Sequence, residues 1–255
     1  MHTHLPEFLV VTYQILIALL AGVLPACVWL YFWLTEDEHP EPRMRLFRTF
    51  AAGVGAAVAS VFLEYGVSYL VQYLTGQPSF LAPNADGSIT LGFIPILVLV
   101  IWVAIEEVTK FLAARNVALT SPDDDEPVDP LIYMITAALG FAAMENTLYI
   151  VSTILQSGIT DGLLSANLRF MGATLAHTIS SGTLGAFMSF SFYKSRRARV
   201  FYIALGLVAA TALHALFNLA IIKADRNIIG PFGLVWVCVI ILIYVFDRVK
   251  KLRKG

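Results

Sequence analysis

A chain of 255 residues in which 58% are hydrophobic and only 14% charged carries more apolar sequence than a soluble core of this size can use. Its mean hydropathy is +0.76, and apolar runs long enough to cross about 30 Å of hydrocarbon recur along its length, so an all-α polytopic membrane bundle is predicted. A net charge of −1 with basic residues in short clusters leaves no electrostatic footprint for nucleic acid, which is excluded as a partner.

Seven spans are expected in chain order: Phe8–Leu34, Phe47–Leu74, Leu91–Leu119, Leu131–Gln156, Ala166–Tyr193, Val200–Ile222 and Ile228–Phe246. The first lacks a positively charged leader and exceeds a signal-peptide core, which predicts a retained helix. A loop rich in Pro, Asn, Gly and Ser, Thr75–Thr90, follows the second span. The acidic run Asp123–Asp125 after the third reads as solvated loop, and Asp129 and Pro130 are expected as N-cap and first-turn proline of the fourth. Cys27 and Cys238 lie in apolar runs and are expected as buried small hydrophobes.

With the N-terminus outside, the cytoplasmic side receives Arg43, Arg45, Arg48, Arg115, the cluster Lys194 to Arg199, and the basic C-terminal tail. The outside receives only Arg169, Lys223 and Arg226. That asymmetry predicts N-terminus out and C-terminus in. No internal repeat is evident, and residues 1–255 are expected to form a single membrane domain.

Four spans carry ionisable residues deep in apolar sequence: Glu106, Glu107 and Lys110 in the third, Glu145 in the fourth, His177 in the fifth and His214 in the sixth. Each charge at the centre of a membrane helix costs roughly 2.5–3.5 kcal/mol on insertion scales, so such residues are kept because a site uses them. Counted from the cytoplasmic helix ends at 1.5 Å per residue, Glu106, Glu145, His177 and His214 all lie roughly 20–25 Å deep. Four helices of alternating direction therefore meet in one polar layer.

Helical spacing places Lys110 within reach of either glutamate, while adjacent Glu106 and Glu107 point about 100° apart, so one of them is expected to face the cavity. Phe141 shares a face with Glu145, Asn146 stands beside it, and His214 aligns with Asn218. Bland readings exist: Glu107 with Lys110 as a packing ion pair, and a lone histidine as a helix-to-helix hydrogen bonder. Glu64, deep in the second span, has no motif around it and is as readily structural as functional. Convergence of carboxylates and imidazoles at one depth favours a site that activates water, with or without a metal.

Glu106-Glu107-x-x-Lys110, Phe141-x-x-x-Glu145-Asn146, a membrane His177 and His214-x-x-x-Asn218, in that order over about half the chain, resemble the PrsW intramembrane proteases. These are relatives of the CAAX prenyl proteases and of the bacterial Abi family. The CAAX branch usually has histidine in place of Glu145 and arginine in place of Lys110; both departures match the PrsW branch and speak against prenylated substrates.

The resemblance implies hydrolysis of a peptide bond in or near the membrane segment of a single-span regulatory protein, such as an anti-sigma factor, on the extracytoplasmic side of the cell membrane. By family, one of Glu106 or Glu107 polarises the attacking water, Glu145 and His177 complete the water or metal site, and His214 and Asn218 stabilise the oxyanion. Glu145, His177 and His214 are suitable zinc donors, although no compact HExxH spacing is present, and metal-independent glutamate chemistry is the alternative. Two other classes compete: a proton- or ion-coupled transporter, whose inverted repeats and interrupted helices are not evident here, and a non-catalytic Abi-type scaffold or immunity protein.

Overall fold

A computed structural model describes residues 7–76, 92–224 and 227–253. The described residues form α1 (Glu7–Leu34), α2 (Arg43–Thr75), α3 (Phe93–Ala114), a π-helical turn (Arg115–Leu119), α4 (Asp129–Ser157), α5 (Ile159–Met171), α6 (Ala173–Phe190), α7 (Arg196–Lys223) and α8 (Ile229–Val249). Helices satisfy every internal backbone group within the segment, which is what hydrocarbon demands. The expected loop beyond Gly76, and Arg226 and Lys254, lie outside the described residues.

α4 is the axis of the bundle. Every residue from Asp129 to Ala143 is buried, because α1, α2 and α6 all pack on it. An apolar pattern on all sides, rather than on one stripe, is the signature of such a central helix. α2 approaches most closely where Gly53 faces the Ala137 carbonyl and Gly140 faces the Phe50 carbonyl, since a Cβ at either glycine would collide with the opposing backbone.

Five helices, α1, α2, α4, α7 and α8, are long and apolar enough to cross a membrane. The chain is a multi-pass membrane protein, and its outer faces display large apolar side chains such as Leu20, Phe62, Val208 and Ile240 to lipid. α3 carries three charges within two turns, and α6 has 18 residues rich in Ser, Thr and Gly; both draw their placement from neighbours.

Three expectations need correction. The fifth span is not continuous: α5 stops at Met171 and α6 restarts at Ala173, with Gly172 at φ −118° instead of the helical value near −63°. Glycine is a weak helix former, and α5, with Asp161, Asn167 and Arg169 among its apolar residues, is amphipathic. It is joined to α4 by Gly158 at φ +94°, a conformation that L side chains rarely adopt. Asp129 is not the N-cap of α4, which is Val128; its carboxylate accepts instead from the backbone amides of Asp125 (2.8 Å) and Glu126 (2.6 Å). Cys27 is exposed on α1, because α1 turns that face outward, while Cys238 is half-buried.

One end of the bundle is tied by polar contacts. Arg45 reaches Asp123 (2.6 Å) and the Val117 carbonyl (2.7 Å), Lys250 pairs with Glu36 (3.2 Å), and Tyr133 donates to the buried Glu41. The clamp fixes the connections between α1 and α2 and between α3 and α4, and so the register in which α3 presents its carboxylates to α4.

Candidate active site

Lys110, fully buried on α3, organises the polar layer. Its ammonium lies 2.8 Å from Glu107 Oε1, 3.0 Å from His177 Nδ1 on α6 and 4.4 Å from the centre of the Phe141 ring on α4. An ammonium only donates, so His177 Nδ1 accepts and the ring proton resides on Nε2, 2.5 Å from Glu145 Oε2. Glu145 is further held by Arg169, whose Nη2 lies 3.1 Å from Oε1.

Glu107 is fully buried and its oxygens are committed. Oε1 accepts from Lys110 and from His214 Nδ1 at 2.9 Å, and Oε2 accepts from the Ser181 hydroxyl at 2.7 Å. A carboxylate that receives the His214 Nδ1 proton leaves the other ring nitrogen for chemistry and fixes the ring's orientation. The His177 and His214 rings meet edge to face, 4.7 Å apart.

Glu106 is different. Its side chain keeps 13% exposure, and Oε2 is a buried acceptor with no hydrogen-bond partner among the described residues. Around it stand Lys110 Nζ at 3.5 Å, His214 Nδ1 at 3.7 Å and His177 Nδ1 at 3.8 Å, all beyond good hydrogen-bond range. Leaving a buried carboxylate oxygen unsatisfied is costly, so the position suits a water, a substrate group or an ion.

A cavity of about 510 Å³ opens onto this layer, and its lining includes Glu106, Glu145, His177, His214 and Asn218. Glu107 does not line it, so of the glutamate pair only Glu106 faces the cavity. Asn146 is also off the cavity: its amide donates to Thr174 (2.9 Å) and its carbonyl accepts from Arg169 Nε (2.5 Å), linking α4, α5 and α6. Phe141 packs at a tilt beside His177, with centroids 5.4 Å apart, and covers the Lys110 ammonium with its ring.

Three participants were not assigned from sequence. Glu64 lines the cavity from α2. Ser181 of α6 is a hydrogen-bond donor to Glu107. Arg169, counted among outside loop charges, reaches inward because the break at Gly172 turns the end of α5 back over Glu145.

The residues also fit a metal. Glu106, His177 and His214 each offer a ligand atom, all within 4.8 Å of one another, and Glu145 on Nε2 of His177 supplies the outer-sphere support that metal histidines usually have, while Glu107 bonds the His214 nitrogen that faces Glu106. The oxygen of Glu106 that lacks a partner is the observation favouring this fit. Glu145 is not in the cluster; it engages His177 and Arg169 instead. Lys110 occupies His177 Nδ1, so that nitrogen could bind an ion only after the contact is released.

The family model described as PrsW family intramembrane metalloprotease matches residues 41–246. The chain belongs to the PrsW family. It is a membrane-embedded protease, similar to Protease PrsW of Geobacillus kaustophilus, with 22% identity over 207 residues, 81% of this chain and 80% of that one. Protease PrsW of Bacillus subtilis is 25% identical over 199 residues, covering 78% and 79%, and that of Oceanobacillus iheyensis 25% over 239 residues, covering 91% and 95%. No solved structure matches the chain. The interruption at Gly172 removes the lack of broken helices as an argument against a transporter; the family match decides the class.

Proposed function

We propose that this PrsW-family protease hydrolyses a peptide bond in or near the membrane segment of a single-span, membrane-anchored regulatory protein, anti-sigma factors being the type of substrate the resemblance suggests. Glu106 carries the reading: its residue lines the cavity, and its buried Oε2 is an acceptor with no hydrogen-bond partner among the described residues. A water there is deprotonated by Glu106 as it attacks the scissile carbonyl carbon. The oxyanion is received by the Asn218 amide and by His214, which donates from Nε2 only when its ring carries both protons, the Nδ1 proton being committed to Glu107. Glu106 then returns the proton to the leaving nitrogen as the C–N bond breaks, giving a carboxylic acid and an amine, which together become carboxylate and ammonium by proton exchange with solvent. Glu145 lines the cavity beside this position and fixes the His177 ring, whose other nitrogen is taken by Lys110. Glu107 and Lys110 remain a fixed ion pair that sets the angles of both histidines.

A metal held by Glu106, His177 and His214 would supply Lewis-acid polarisation of water or carbonyl, with zinc the ion best suited to these donors. The topology belonging to this reading is a single domain of seven spans in the cell membrane, α5 and α6 together making the fifth, with the N-terminus outside and the C-terminus inside, as the Lys/Arg bias supports. Cysteines at Gly87 and Lys254 should label from opposite sides of intact cells; labelling from one side would overturn it. For the substrate, membrane proteomes with and without the gene should differ by one single-span protein that is shortened only when Glu106 is intact. If no membrane protein changes length, the proposed substrate class is wrong.

A further inference from the structure

Away from the catalytic layer, α6, α7 and α8 leave a second cleft of about 680 Å³, larger than the catalytic cavity. Ile179, Leu213 and Leu242 form part of its inner wall, and the exposed Phe190 and Ile241 show that it opens on the lipid-facing side. Among the described residues its one charged lining residue, Lys194, stands at one end beside Tyr202, the ammonium 5.7 Å from the ring centroid, and the Thr183 hydroxyl further along is spent on the Ile179 carbonyl. Lys194 lies in the short turn between α6 and α7, at the membrane-water boundary, and exposed Arg196 and Arg197 follow it. The cleft is therefore apolar along its length and cationic at its mouth.

The cleft is distinct from the catalytic cavity. Between them is a void of only about 20 Å³, lined by residues shared with each, such as Leu213 and Phe217, and no chain can pass it. A substrate helix is also a poor occupant. A cylinder about 10–12 Å across takes up roughly 800 Å³ or more for each 10 Å of length, so the cleft would hold fewer than two turns. An acyl chain is slender enough to lie in it lengthwise, and a phosphate at the interface would meet Lys194 and its neighbouring arginines.

We propose that this cleft is a binding site for an anionic phospholipid, with one acyl chain between α6, α7 and α8 and the headgroup phosphate at Lys194. Juxtamembrane basic residues attract anionic lipid, and apolar burial of the chain adds the remainder. The site requires only that the protein sit in a membrane, so it stands or falls independently of the catalytic assignment. Because Leu213 adjoins His214, a lipid in the cleft also braces the α7 segment that carries the catalytic-layer histidine.

The full chain in nanodiscs of equal phosphatidylglycerol and phosphatidylcholine, with identical acyl chains, can be extracted into mild detergent and its retained lipid counted by native mass spectrometry. One phosphatidylglycerol per chain should survive, with a preference of roughly tenfold over phosphatidylcholine. Lys194→Glu combined with Arg196→Glu should erase the preference, and Thr183→Phe, which fills the cleft from α6, should abolish retention. Should Thr183→Phe fail to accumulate, Ala186→Leu fills the same space with a smaller side chain. Equal retention of both lipids by the wild type, or undiminished retention in the cleft-filled variant, overturns the site. So does a photo-crosslinker at Ile241 that captures a protein helix in place of lipid.

Discussion

Glu107 Oε1 stands 2.9 Å from His214 Nδ1 across the contact between α3 and α7, and the same oxygen receives Lys110 from one turn further along α3. Two donors on one buried oxygen, with Ser181 on the other, give Glu107 the part of a structural anion in the proposed function. Its sequence neighbour Glu106 keeps an oxygen without a hydrogen-bond partner beside the cavity. Replacing the two should therefore have different signatures.

Glu106→Gln should lower cleavage by about two to four powers of ten, the usual contribution of a general base, with thermal stability essentially unchanged. Glu107→Gln should lose activity and stability together, because buried Lys110 loses its 2.8 Å partner and keeps only Glu106 at 3.5 Å, a loss of up to about 3–5 kcal/mol for a broken buried pair. Adding Lys110→Met to Glu107→Gln should recover much of the stability and none of the activity. Melting curves and substrate cleavage in the same detergent check both. Wild-type cleavage by Glu106→Gln would remove it from the role of base.

Arg169 bridges the end of α5 to Glu145 and to Asn146, so it sets the carboxylate that in turn sets His177. Arg169→Gln should reduce kcat by about 10–100-fold, the scale of lost outer-sphere support, with a smaller change in KM. Arg169→Lys preserves the charge but not the fork, and should recover part of the loss. A KM effect larger than the kcat effect would make Arg169 a substrate contact rather than a positioning residue.

Sequence was informative wherever a single physical rule was sufficient. Charges are expensive in hydrocarbon, and that alone singled out Glu106, Glu107, Lys110, Glu145, His177 and His214; a helical rise of 1.5 Å per residue placed four of them at one depth. The division of labour between Glu106 and Glu107 was not legible. It depends on Ser181 and His214 arriving from two other helices, and pair spacing on α3 is silent about that. Arg169 was hidden by the break at Gly172, since an uninterrupted span carries it outward and leaves Glu145 without its cation. Donor type admits Glu145 to a metal set, whereas packing clusters Glu106 with the two histidines.

Glu41, in the connection between α1 and α2, gives the protein a pH dependence separate from catalysis. Burial, with the Asp129 and Asp37 carboxylates nearby, pushes its carboxyl up to about 8, against the pull of the Tyr133 hydroxyl. A folded-state value above the unfolded one means that the protonated form stabilises the fold. That contribution is complete below about pH 4.5 and is lost as pH rises through about 8. Glu41→Gln holds the group neutral, so its Tm should gain on the wild type steadily between about pH 5 and 8.5. A constant difference in Tm over that interval would show that Glu41 ionises as freely in the fold as out of it.

Metal dependence can be separated from glutamate chemistry by using the same three residues. If Glu106, His177 and His214 hold zinc, chelation should abolish cleavage, zinc should restore it, and the purified protein should carry about one equivalent. His214→Ala should then lose bound zinc, and so should Glu106→Gln, while Glu145→Gln, outside the cluster, should retain most of it despite reduced activity. In the metal-independent case chelators leave the rate unchanged and all three variants contain equally little zinc. The zinc content of Glu145→Gln is the informative measurement: loss as complete as in His214→Ala would make Glu145 a ligand and require Arg169 to release it, since the two are now paired at 3.1 Å.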